Sequence, residues 1–117
     1  MKSYILLENI EIYAHHGVLE QETVVGNTFI LNLKIKADIS KATISDHLED
    51  TLNYAEIYEI IKKEMEIPSK LLEHVAGRII RSLKAAFPPI EKIELKISKR
   101  NPPMGGQMDY ASIILVD

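Results

Sequence analysis

The chain has no cysteine. That absence excludes disulfides, thiolate zinc sites and cysteine nucleophiles together. It also lacks a long apolar run. The opening stretch Met1-Lys2-Ser3-Tyr4-Ile5-Leu6-Leu7 is broken by Glu8-Asn9, so it is too short for a signal peptide's apolar region or a bilayer span. A cytoplasmic protein with no membrane association is expected. There is no excess of positive charge: 14 Lys and Arg against 17 Asp and Glu give a net charge of -3. Broad nucleic-acid binding needs a basic surface, so nucleic acid is not an expected partner. No internal repeat, low-complexity tract or long linker interrupts the sequence. Neither a Gly-x-x-x-x-Gly-Lys loop nor a dinucleotide fingerprint occurs. "PPMGGQ" has two glycines but lacks the strand–turn–helix context of a phosphate loop.

What is present is periodic. The 117 residues suit one domain spanning 1–117. Residues 4 to 14 read as a strand, with Ile10, Ile12 and Ala14 alternating with Glu11 and Tyr13. His15-His16-Gly17 interrupts it, and Val18 to Gly26 reads as a connecting loop. Thr28 to Ile39 is the clearest strand. Phe29, Leu31, Leu33, Ile35, Ala37 and Ile39 fall on one face, and Asn32, Lys34, Lys36 and Asp38 on the other. From Tyr54 the period turns helical: Tyr54, Ile57, Tyr58, Ile61 and Met65 form a stripe. Pro68 marks a break and Ser69 an N-cap. Leu72, Val75, Ala76, Ile79, Ile80 and Leu83 form a second stripe, which Pro88-Pro89 stops. Strands return at 91–99 and about 109–116.

The order is two strands, two helices, two strands. Such a chain makes an α+β fold: a four-stranded antiparallel sheet (ββααββ) with both helices on one face. The sheet has two open edges and an uncovered polar face. Open edges are blunted or paired, and edge pairing between subunits into a closed ring predicts a homo-oligomer.

Lys99 is the first candidate for chemistry. It continues the inward parity of Ile93, Leu95 and Ile97, directly before a stiff proline turn. A lysine whose stem lies against a core is partly desolvated, which is how a lysine becomes a usable base; equally, it can snorkel past the core edge. Glu73 lies at the margin of the second helical stripe, in the first turn, where free N–H groups favour an anion. Its carboxylate suits either that dipole or the N–H groups of a ligand. Tyr54 belongs to an apolar stripe, the usual mark of core, and its phenol is also a proton donor. Glu22 lies in the irregular loop. Histidines 15, 16, 47 and 74 have poor spacing for a metal, since adjacent histidines on a strand point to opposite faces. No metal and no cofactor are expected.

Taken in order, these residues resemble one family, the dihydroneopterin aldolases of folate biosynthesis. The resemblance covers essentially the whole chain. It rests on "HGVLEQE", "DTLNYAEIYEII", "LLEHVAGRI" and "ISKRNPP". It implies a tunnelling fold, in which four subunits close their sheets into a barrel and two rings commonly stack into an octamer. The active site then lies between subunits. By the resemblance, Lys99 matches the catalytic lysine and Tyr54 the tyrosine from a neighbouring subunit. Glu73 matches the pterin-anchoring glutamate, with the Leu72 backbone beside it. Glu22 matches the loop glutamate near the substrate side chain, and Thr51 and Leu52 match backbone positions beside the pterin. Asn27 departs from the glutamine of many relatives. The implied reaction is a metal-free retro-aldol cleavage of 7,8-dihydroneopterin. Side-chain epimerisation of dihydroneopterin or its triphosphate is the enzymatic alternative, and a non-catalytic pterin-binding oligomer the non-enzymatic one.

Overall fold

The computed structural model describes residues 1–117. Four long elements of alternating apolarity form strands β1 (Tyr4–Ala14), β2 (Asn27–Ala37), β3 (Ile90–Arg100) and β4 (Tyr110–Val116). They make one antiparallel sheet in the order β1-β2-β3-β4. Between β2 and β3 run the short helix α2 (Ala42–Ser45), a 3₁₀ turn at Leu48–Asp50, and the long helices α3 (Tyr54–Met65) and α4 (Leu72–Ala86). The α+β architecture expected from the alternation and the helical stripes is present. A further helix, α1 (Glu20–Val25), lies between β1 and β2, where the sequence reads as a loop.

Parity decides which face is buried. Phe29, Leu31, Leu33 and Ile35 of β2 stand opposite Lys99, Ile97, Leu95 and Ile93 of β3. All but Lys99 are at most 2% exposed. Against this face pack Ile57, Ile61 and Met65 of α3 and Val75, Ala76, Ile79, Ile80 and Leu83 of α4. Each fully buried aliphatic side chain here contributes roughly 1.5–3 kcal/mol. The opposite face carries Lys34, Lys92 and Lys96 into solvent.

The strand expected to reach Ile39 ends at Ala37. Asp38 turns the chain instead, its Oδ1 accepting the Ser40 N–H at 3.0 Å, as aspartate does at turns. In β1 the half-buried residues are Ile5 and Leu7 first, then Ile10 and Ile12. A change from odd to even positions requires an extra residue. A bulge supplies it between Leu7 and Ile10, with Asn9 at φ 55°. Asn32 Oδ1 of β2 accepts the Asn9 N–H at 2.8 Å.

Asn53 caps α3, its Oδ1 accepting the Ala55 N–H at 3.0 Å. Ser69 does not cap α4: the N-cap position is Leu71, with no side-chain cap. Ser69 is buried and committed elsewhere. Its Oγ lies 2.7 Å from His74 Nδ1 and accepts from Arg78 Nη2 at 2.9 Å.

Candidate active site

Lys99 occupies the last inward position of β3, flanked by Phe29 on one side and Ala111 on the other. Its stem continues the core face, and its ammonium emerges where the core ends. There Nζ donates to Glu22 Oε2 at 2.7 Å, with only 15% and 14% of the two side chains exposed. A charge-assisted bond of this length between half-desolvated partners is well above the median surface pair in worth.

Glu22 is delivered by α1. A six-residue helix is too short to stand alone, and α1 buries none of its residues. It is fastened to the end of β1 instead. The Tyr13 hydroxyl donates to the Val25 carbonyl, and His15 Nδ1 lies 2.9 Å from the Thr23 carbonyl. Glu22 Oε1 accepts the Leu19 N–H at 3.3 Å, so one oxygen ties down its own helix and the other holds Lys99. Gly17 makes room for it: a Cβ there would lie 2.4 Å from Glu22 Cδ.

Beside the pair lies a cleft of about 370 Å³. Glu22, Lys99, Leu72, Pro102, Met104 and Ala111 line it. The first residue of α4 is therefore at the cleft, and Glu73 follows it on the exposed side. Asn27 lines the adjoining hollow with Glu22 and Gly26. It bridges strands, donating to the Arg100 carbonyl at 2.6 Å and accepting the Thr28 N–H at 2.7 Å.

The expected residues fall into two groups. Glu22, Leu72 and Lys99 meet in one cleft, whereas Glu73, next to Leu72 in sequence, is exposed and is not among the residues that line it. Thr51, Leu52 and Tyr54 are elsewhere, at the entrance to α3. Leu52 is buried, but Tyr54 is 68% exposed, so it is not core as its place in the stripe suggests. The stripe begins its burial at Ile57, one turn later. No three His, Asp or Glu side chains converge in a way that would hold a metal.

Three features of the site escape sequence reasoning. Pro102 is buried and Met104 lines the cleft, so part of the 102–107 turn is wall. Asn101 has φ 45°, although a residue before proline favours extended backbone. Asparagine tolerates this region, and its N–H closes the turn onto the Asp109 carbonyl at 3.1 Å. The third is His16, which is 1% exposed. Its Nδ1 accepts the Ser69 N–H at 2.9 Å, and its ring meets Phe29 edge-on at 5.2 Å. Burial lowers its pKa to about 4, and the charges of Arg78, Lys99 and His15 act in the same direction. The Met65 carbonyl opposes them without prevailing. The signal available in the sequence was the polar-then-glycine break "HHG" at the end of an alternating strand.

Comparison with known proteins gives a consistent result. Residues 5–116 match the family model FolB, dihydroneopterin aldolase. A dihydroneopterin aldolase of Staphylococcus epidermidis is 36% identical over 117 residues, covering 99% of this chain and 97% of that protein. One from Bacillus subtilis strain 168 is 37% identical over 112 residues, covering 95% and 92%. Among solved structures, E. coli dihydroneopterin aldolase in complex with neopterin superposes with a TM-score of 0.89 at 23% identity, covering 98% of each chain.

Proposed function

The chain belongs to the dihydroneopterin aldolase family, and from that premise we propose how its cleft carries out the reaction. The substrate is 7,8-dihydroneopterin, and the products are 6-hydroxymethyl-7,8-dihydropterin and glycolaldehyde. The observation that carries the mechanism is the Lys99–Glu22 pair at 2.7 Å beside an open cleft.

The reaction needs three things. A proton leaves the side-chain hydroxyl farther from the ring of the two whose carbons share the breaking bond. The carbon–carbon bond between those two carbons then breaks, and its electrons pass into the ring imine. Finally a proton returns to the carbon left on the pterin. Because the imine of the dihydropterin is already the electron sink, the protein need supply only proton transfer and orientation. An ammonium and a carboxylate in hydrogen-bond contact are a donor and an acceptor in one place. Lys99 is assigned the proton transfers, with Glu22 holding it and meeting the substrate's hydroxyls. Glu73, exposed in the first turn of α4 beside the cleft residue Leu72, is assigned the guanidine-like edge of the pterin as a two-oxygen acceptor. The Leu72 backbone lies beside it.

Thr51, Leu52 and Tyr54 complete the site from a neighbouring subunit in this reading. Two observations support an assembly. The sheet has open edges at β1 and β4. The chain is also long and thin, 52 × 24 × 20 Å with a radius of gyration of 15.6 Å, where a compact monomer of this length has roughly 13 Å. Sheets joined edge to edge into a barrel, as a tetramer or a stacked octamer, would bring the exposed Tyr54 of one subunit to the cleft of the next.

Incubation with 7,8-dihydroneopterin, with product identification, is the test. Glycolaldehyde release that Lys99→Ala abolishes is the expected result. Absence of glycolaldehyde from the wild-type protein would overturn the assignment, and an inverted side chain without cleavage would replace it with epimerisation.

A further inference from the structure

His16 is costly where it stands. It is 1% exposed, and its Nε2 makes no hydrogen bond of normal geometry, the Met65 carbonyl giving it at most a weak one. An apolar side chain would fill the slot without an unsatisfied polar atom. What an apolar side chain lacks is an acceptor at the Nδ1 position.

That acceptor closes a clip. His16 Nδ1 takes the Ser69 N–H at 2.9 Å, and the next residue, Gly17, donates its N–H to the Ser69 carbonyl at 2.9 Å. Two consecutive residues thus hold both polar groups of one residue 53 positions away. Each side of the clip leads to the cleft. Gly17 lies against the Glu22 side chain, and Phe29, which carries the His16 ring, stands directly opposite Lys99. Ser69 precedes Leu72 by one short turn, and its hydroxyl is gripped by His74 and Arg78 of α4. Arg78 also reaches the Glu64 and Ile67 carbonyls.

We propose that His16 is a positioning residue for the cleavage: by accepting the Ser69 N–H it fixes the Glu22–Lys99 pair relative to the start of α4, which anchors the pterin. An accepting Nδ1 carries no proton, so the ring must be neutral with its hydrogen on Nε2. The charges of Arg78 from α4, Lys99 from β3 and His15 beside it in sequence oppose a positive charge on the ring, and only the Met65 carbonyl favours one.

The inference rests on the aldolase reading of the cleft, so its test has an arm that needs no turnover. Asn places an oxygen near the Nδ1 position of histidine, whereas the amide of Gln reaches toward Nε2. His16→Gln and His16→Asn are compared with wild type at a temperature where circular dichroism shows all three folded. His16→Gln should lose about tenfold in kcat/KM, chiefly in kcat, since small misplacements of reacting groups cost that much or more. Crystals of that variant should show Lys99 Nζ and Glu22 separated beyond about 4 Å, the limit of an ion pair. His16→Asn should stay within about threefold of wild type with the pair closed. Wild-type kcat/KM and a closed pair in His16→Gln would overturn the proposal, and so would equal losses in the two variants. If the Gln variant does not fold, His16→Phe, a ring without an acceptor, takes its place. If wild-type protein releases no glycolaldehyde, the aldolase reading fails, and the ion-pair distance still decides the positioning claim.

Discussion

Two regions of this small protein are built on different principles. The layer between the sheet and helices α3 and α4 is held mainly by burial: 19 apolar residues form one cluster, with the Arg78–Glu64 pair at the rim of the two helices. The corner made by residues 13–26 buries little apolar side chain. It is held by individual polar contacts: Tyr13 to Val25, His15 to Thr23, His16 and Gly17 to Ser69, and Glu22 to Lys99. Burial is non-directional, whereas a hydrogen bond weakens steeply as its angle and length depart from ideal. The candidate chemistry sits in the second region. Lys99 joins the two, with its stem in the core and its ammonium in the corner.

The division can be broken at Lys99 or at the core. Lys99→Ala removes the proposed proton-transfer group and should lower kcat by about 10²–10⁴-fold, with a loss of stability from the broken Glu22 pair that is smaller than a core truncation causes. Steady-state kinetics beside a melting curve measures both. Ile79→Ala should do the reverse. Ile79 is 0% exposed in the layer, so truncation should cost about 2–5 kcal/mol of stability by urea unfolding. The folded fraction should keep wild-type kcat/KM. A core truncation that cuts specific activity as deeply as Lys99→Ala would show that the two regions are not separable.

The same division explains what could be read from the sequence. Strand and helix periods are written by burial, so the sheet, α3, α4 and the inward parity of Lys99 were legible. Where burial stops, the periods mislead. Tyr54 keeps the phase of the α3 stripe, yet it projects one turn beyond the buried arc of Ile57, Ile61 and Met65. Ser69 has the chemistry of an N-cap, but its hydroxyl is taken by His74 and Arg78 and its backbone by His16 and Gly17. Helix α1 has no apolar face to announce it, because its contacts to β1 are long-range and polar. A one-dimensional pattern does not record such contacts.

A pH series sharpens the contrast. His16 has a pKa of about 4 in the folded protein against an ordinary 6.5. Above pH 6.5 both folded and unfolded chains hold it neutral, and it adds no pH dependence. Between about 6.5 and 4 the unfolded chain takes up a proton that the folded chain refuses, so stability falls as pH falls. From pH 7 to pH 5 this amounts to about 2 kcal/mol. Urea unfolding at the two pH values should show wild type losing about that much more than His16→Asn. Equal losses would mean that the ring is not held neutral by its surroundings. The apolar layer has no titratable group to respond, so the acid sensitivity should appear first as local opening near residues 13–26. Hydrogen exchange can follow this.

The finest test uses two glycines. At Gly17 (φ 157°) a methyl group would lie 2.4 Å from Glu22 Cδ and 2.6 Å from its Cβ. At Gly106 nothing lies within 4 Å of the same addition. Gly17→Ala must push Glu22 away, and because the near contact includes Cβ, rotating the distal carboxylate does not relieve it. The variant should lose about tenfold in kcat/KM as the Lys99 pair is displaced, and about 1–2 kcal/mol of stability from the strained backbone. Gly106→Ala should change stability by no more than about 0.5 kcal/mol. If Gly17→Ala were as silent as Gly106→Ala, the corner would be pliant enough to absorb a methyl group. Hydrogen-bond placement would then be the wrong account of how Glu22 reaches Lys99.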